Sequence, residues 1–131
     1  MRIARELLDD VIAHARADAP NECCGIVGAR DGQAVTVFPV RNAAASPLRY
    51  EMDPKDQLRV FEALEDAELE VGAIYHSHTR SAPEPSQTDI NLAFYPDALY
   101  VIVGLNGDEP DVRAWRIVDG QVSQAQLEVV P

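Results

Sequence analysis

Residues 98–105 (Ala-Leu-Tyr-Val-Ile-Val-Gly-Leu) carry no charge and only one residue outside the hydrophobic set, Gly104. A run this short and this continuously apolar fits a central strand, buried on both faces. Such a strand needs neighbours in a sheet and helices packed upon it. The rest of the chain supplies candidates. Ile3, Leu7, Leu8, Val11, Ile12 and Ala15 recur at helical spacing before Pro20, which predicts a helix over 3–19. Residues 23–27 read as a short buried strand and 34–40 as its return, joined at Asp31-Gly32, a hairpin turn signal. Residues 49–52 suggest a further strand. Asp53-Pro54 supplies an N-cap and a first helical residue, with Leu58, Phe61, Leu64 and Ala67 as an apolar stripe. A strand follows over 71–78, then a short helix from Ser86 to about Phe94. Strands near 112–118 and 121–129, set off by Asn106-Gly107 and Asp119-Gly120, close the chain as a meander. The expected fold is α/β or α+β, a mixed sheet flanked by helices.

Length and charge limit the functions open to it. A chain of 131 residues fits one domain, 1–131. The formal net charge of −11 argues against a nucleic-acid binder, which needs a basic stripe to track phosphates. No stretch is long enough to span a membrane, and the N-terminus runs straight into charged residues without an apolar signal core. A cytoplasmic protein is expected. The only cysteines, Cys23 and Cys24, are adjacent, which excludes a disulfide framework. Packing as small hydrophobes is their expected role. The sequence leaves the oligomeric state open and allows a homodimer.

The chemistry centres on Tyr75-His76-Ser77-His78. Alternate residues of a strand point to one face, so His76 and His78 aim two imidazoles at one point. Two histidines bonded to ordinary neighbours would give the same pattern. What strengthens a metal reading is Asp89, on the first turn of a helix that starts eight residues after His78 at Ser86. Two imidazoles and one carboxylate with an open fourth position describe a catalytic zinc site. A competing reading makes Ser86-Gln87-Thr88-Asp89 a capping box and nothing more. A metal hydrolase also needs a general acid–base, for which Glu22, Glu51 and Glu84 are candidates that spacing alone does not separate. His14 has no partner motif and reads as a surface histidine. Trp115 alternates with Arg113 and Ile117 and reads as sheet packing.

Glu22-Cys23-Cys24-Gly25, His76-Ser77-His78, Ser86 and Asp89 together resemble the JAMM (MPN+) metalloprotease pattern, an upstream Glu followed by H-x-H-x7-S-x-x-D. The resemblance covers nearly the whole chain. It implies His76, His78 and Asp89 as zinc ligands, Glu22 as the acid–base and Ser86 as a hydrogen-bond donor to the oxyanion. It implies a curved mixed sheet flanked by helices, similar to that of cytidine deaminases. Thr79 stands where most members have Pro, which puts the loop shape beside the metal in question. His-Ser-His-Thr, Asn21–Gly25 and the run at 100–103 are most similar to the Mec-type branch. That branch implies a zinc-dependent peptidase or isopeptidase that hydrolyses the bond after the C-terminal glycine of a small ubiquitin-like (β-grasp) sulfur carrier protein, releasing cysteine for cysteine biosynthesis. Trimming of a carrier tail before thiocarboxylate formation is an alternative, as is a non-catalytic MPN scaffold. A nucleobase deaminase would need H-x-E and P-C-x-x-C, and this sequence has neither.

Overall fold

The computed structural model describes residues 1–131. Strands β1 (Arg2–Ala4), β2 (Cys24–Arg30), β3 (Gln33–Val40), β4 (Glu70–His78), β5 (Leu99–Gly104), β6 (Asp111–Val118), β7 (Gln121–Ala125) and β8 (Glu128–Val130) form one sheet. Helices are α1 (Arg5–Asp18), α2 (Pro54–Asp66) and the short α3 (Gln87–Asn91). The sheet order is β7-β6-β5-β4-β2-β3-β1-β8. Pairing is parallel for β4–β5, β1–β3 and β1–β8, and antiparallel elsewhere. The expected mixed sheet with helices upon it is present.

Strand alternation divides the core between two faces. Val27, Ala73, Tyr75, Leu99, Val101 and Val103 pack with Leu8, Val11 and Ala15 of α1. Ile26, Ile74, Tyr100 and Ile117 pack on the other face with Val60 and Leu64 of α2. All six residues of β5 are buried, as the apolar run requires of an inner strand. Both Asp-Gly turns have positive φ at both residues, the backbone that two-residue hairpins favour. Asp53 caps α2 by accepting the Asp56 N–H. No helix is long and apolar enough to cross a membrane.

Five expectations need correction. Residues 2–4 form β1, and the helix begins only at Arg5. Ile3 is buried either way, so its place in the periodicity did not separate strand from helix, and β8 offers this segment a parallel partner. Residues 49–52 form no strand, only an isolated Asn42–Met52 bridge. The Asn42 side chain takes the Arg49 carbonyl and the Glu51 N–H that a ladder would use. The expected strand 121–129 breaks after Ala125, and its last part pairs with β1 at the opposite edge. So short a link between the two edges means that the sheet is strongly curled. α3 stops at Asn91, and the Tyr95 N–H bonds to the Tyr100 hydroxyl instead of continuing the helix. Leu58 of α2 is 59% exposed; Val60 and Leu64 are the residues that face the sheet.

Candidate metal centre

The end of β4 carries His76 and His78, buried and on the same face as Ile74. The β2–β4 register sets Cys24 opposite His76, and the Ser77 N–H to Cys23 carbonyl bond continues it. Counted on by one more pair, Glu22 falls beside His78 on the same face. The polar loop after β4 then returns the chain so that Asp89 of α3 reaches the two imidazoles. Asp89 Oδ2 lies 3.1 Å from His76 Nε2 and 3.0 Å from His78 Nε2, which are 3.2 Å from each other. Tetrahedral zinc ligands at 2.0–2.1 Å from the ion stand about 3.3 Å apart, so the three atoms have the spacing of a metal group, and His76, His78 and Asp89 could hold one ion.

The surroundings fit the same use. His78 Nδ1 lies 2.8 Å from the Ala82 carbonyl. It must donate there, so the neutral form of the ring carries its lone pair on Nε2, turned inward as a ligand histidine needs, and only the protonated form donates to Asp89. The Tyr50 ring stacks on His76 at 4.5 Å between centroids and fixes its plane. Burial pulls the His76 imidazolium down, favouring the neutral ligand form. Burial also opposes charge on Asp89, but hydrogen bonds from His76 and His78 overcome it and hold the carboxyl well below its usual range. His78 is pulled down by burial and raised, on balance, by Asp89 and Ala82.

Among the three glutamates only Glu22 is buried, 4% exposed. Its Oε1 has no hydrogen-bond partner, and burial pushes its carboxyl up to about 7. Glu51 is exposed, and Glu84 is an exposed partner of Arg113. Ser86 is exposed at the N-cap of α3 and its Oγ accepts the Asp89 N–H at 3.1 Å. The capping box is therefore real: Asp89 Oδ2 also accepts the Ser86 N–H at 3.0 Å. Cap and metal group share one oxygen rather than exclude each other. Thr79 donates its hydroxyl to the Pro20 carbonyl at 3.0 Å, tying the loop after β4 to the segment before Glu22. Cys23 and Cys24 are fully buried in the two core clusters.

His14 is not a plain surface residue. It is half-buried, with Nδ1 2.7 Å from the Tyr75 hydroxyl and Nε2 3.3 Å from Asp18. Trp115 packs against the α2-side core and donates Nε1–H to the Pro83 carbonyl. Tyr50 and Asn42 were missed at the sequence level. Neither sits in a motif, and both act through a loop whose folding no local pattern announces.

A curled mixed sheet thus gathers two histidines and an aspartate, beside the end of an inner strand, into a group that could hold one metal ion. The chain belongs to the family described as prokaryotic homologs of the JAB domain, whose model matches residues 4–118; this agrees with the JAMM resemblance. It is 40% identical over 131 residues to the CysO-cysteine peptidase of Mycobacterium tuberculosis, covering 98% of this chain and 90% of the relative. It is 38% identical over 114 residues to a desampylase of Haloferax volcanii, covering 82% of each. The crystal structure of a JAB1/MPN domain protein from Archaeoglobus fulgidus superposes with a TM-score of 0.67, covering all of both chains at 21% identity, which shows the shared fold.

Proposed function

We propose that this chain is a zinc-dependent peptidase that hydrolyses the amide after the C-terminal glycine of a small ubiquitin-like sulfur carrier protein and releases cysteine. The chemistry rests on the convergence of His76, His78 and Asp89 beside the buried, unpartnered carboxylate of Glu22. The choice of substrate is supported by the 40% identity, over nearly the full length of this chain, to a peptidase named for a carrier–cysteine adduct.

His76 Nε2, His78 Nε2 and Asp89 Oδ2 would hold the ion. Zinc bound there would supply Lewis acidity and would bring the pKa of water down from 15.7 to about 7. Glu22, buried beside this group with its Oε1 free of partners, is placed to take a proton and give it back. Its free Oε1 accepts the proton of the attacking water and then delivers it to the leaving amine. Ser86 Oγ already accepts the Asp89 N–H, so its hydroxyl hydrogen remains for the developing oxyanion. Tyr50 and the Ala82 carbonyl keep the two imidazoles aimed inward.

The test is mass spectrometry of a carrier–cysteine adduct incubated with the protein. Loss of one cysteine, abolished by chelator and restored by zinc, is the expected result. An adduct left intact while a longer carrier tail is trimmed would replace this substrate with tail processing.

A further inference from the structure

Asn42 belongs to none of the motifs, yet it is nearly buried at 9% exposure and makes four hydrogen bonds, as many as a carboxamide can hold. Nδ2 donates to the Glu22 carbonyl at 2.9 Å and to the Arg49 carbonyl at 3.1 Å. Oδ1 accepts the Ala44 N–H at 3.0 Å and the Glu51 N–H at 2.9 Å. Arg49 and Glu51 flank Tyr50, the residue whose ring lies on His76. Glu22 is also held from its other side: its N–H donates to the Ser46 carbonyl at 2.9 Å. Both main-chain groups of Glu22 therefore end in the loop that Asn42 gathers. Apart from Asn42, that loop is closed by the Asn42–Met52 bridge, made by the Ala43 N–H to Glu51 carbonyl and Asp53 N–H to Arg41 carbonyl bonds, and by the exposed Arg41–Asp53 ion pair.

We propose that Asn42 is a positioning residue, whose carboxamide couples the backbone of Glu22 to the loop bearing Tyr50 and so sets the Glu22 carboxylate against His76, His78 and Asp89. The proposal rests on the role given to Glu22 above. Its physical basis is that acid–base transfer depends on placement: an error of about 1 Å costs roughly 100-fold in rate. A buried main-chain carbonyl stripped of its partner will move to find another.

Two variants separate positioning from mere loop stability. Asn42→Ala removes all four bonds. Asn42→Asp keeps the acceptor for Ala44 and Glu51 but has no N–H for Glu22 or Arg49. Amide hydrogen exchange in the metal-free full chain reads the coupling without any substrate. In Asn42→Asp the Ala44 and Glu51 amides stay protected, while Glu22 exchanges about fivefold faster or more. On the carrier–cysteine adduct, kcat falls about 10- to 100-fold with KM little changed. Zinc affinity, titrated with the metal alone, stays within about threefold, less than the roughly 10-fold loss expected when a ligand's own partner is removed. Wild-type kcat and wild-type Glu22 protection in Asn42→Asp would overturn the proposal. So would parallel losses of zinc binding and thermal stability in both variants, which would make Asn42 a fold residue only. If the unmodified protein leaves the adduct intact, the substrate assignment fails, and the exchange pattern still decides whether Asn42 holds Glu22.

Discussion

The Ser86 main-chain N–H donates to Asp89 Oδ2 at 3.0 Å, and the same oxygen faces both His76 and His78. One carboxylate oxygen thus closes the α3 capping box and completes the group proposed to hold the metal. The helix start positions the proposed ligand, and the Ser86 N–H favours the charged form that a ligand must have.

Replacing that oxygen's charge while keeping its shape tests the assignment. Asp89→Asn retains an oxygen for the cap but supplies no anionic ligand. Zinc affinity should fall at least about 100-fold, beyond the loss from disturbing an outer partner, with far-UV circular dichroism unchanged. Competition against a chromophoric chelator measures it. Wild-type affinity would remove Asp89 from the metal group.

Glu22→Gln should retain zinc and lose at least about 100-fold in kcat. It should also change stability in one direction. The Glu22 carboxyl rises from 4.5 to about 7 on folding, so the folded protein favours its protonated form. That preference stabilises fully below pH 4.5 and is lost as pH climbs through 7. In chelator, Glu22→Gln should match the unmodified protein at pH 4.5 and exceed it at pH 9 by up to roughly 3 kcal/mol. Urea melts at the two pH values check this, and a variant less stable at pH 9 would contradict it.

The register explains why part of the site was legible and part was not. Strand alternation alone placed His76 and His78 on one face, and the Asp53-Pro54 and Asp-Gly signals fixed a helix start and two turns. These are local rules, satisfied within a few residues. Which glutamate stands beside the pair is not local: it depends on Cys24 meeting His76 across two strands far apart in sequence. The same holds for β1, three residues whose state is set by β8 at the other end of the chain. His14 was misjudged because its partner, Tyr75, lies 61 positions away.

Gly25 should not tolerate a side chain. An added Cβ would run into the ring of Tyr75, which has no exposed surface and is tethered to His14. Gly25→Ala should cost about 1–3 kcal/mol, the usual range for overpacking a core. Chemical denaturation measures it, and an unchanged midpoint would show that the ring moves freely.

The two thiols should be inert in the folded chain. Burial pushes Cys23 and Cys24 up to about 12, and the thiolate is the reactive form. Iodoacetamide at pH 8 should modify neither thiol natively and both in denaturant, read by intact mass. Rapid native labelling would contradict their burial.

The central claim is that His76, His78 and Asp89 grip one divalent ion. Anomalous diffraction at the zinc edge from crystals grown with zinc tests it directly. A single peak bonded to His76 Nε2, His78 Nε2 and Asp89 Oδ2 is expected. No peak there, or zinc seated only on surface carboxylates, would contradict it.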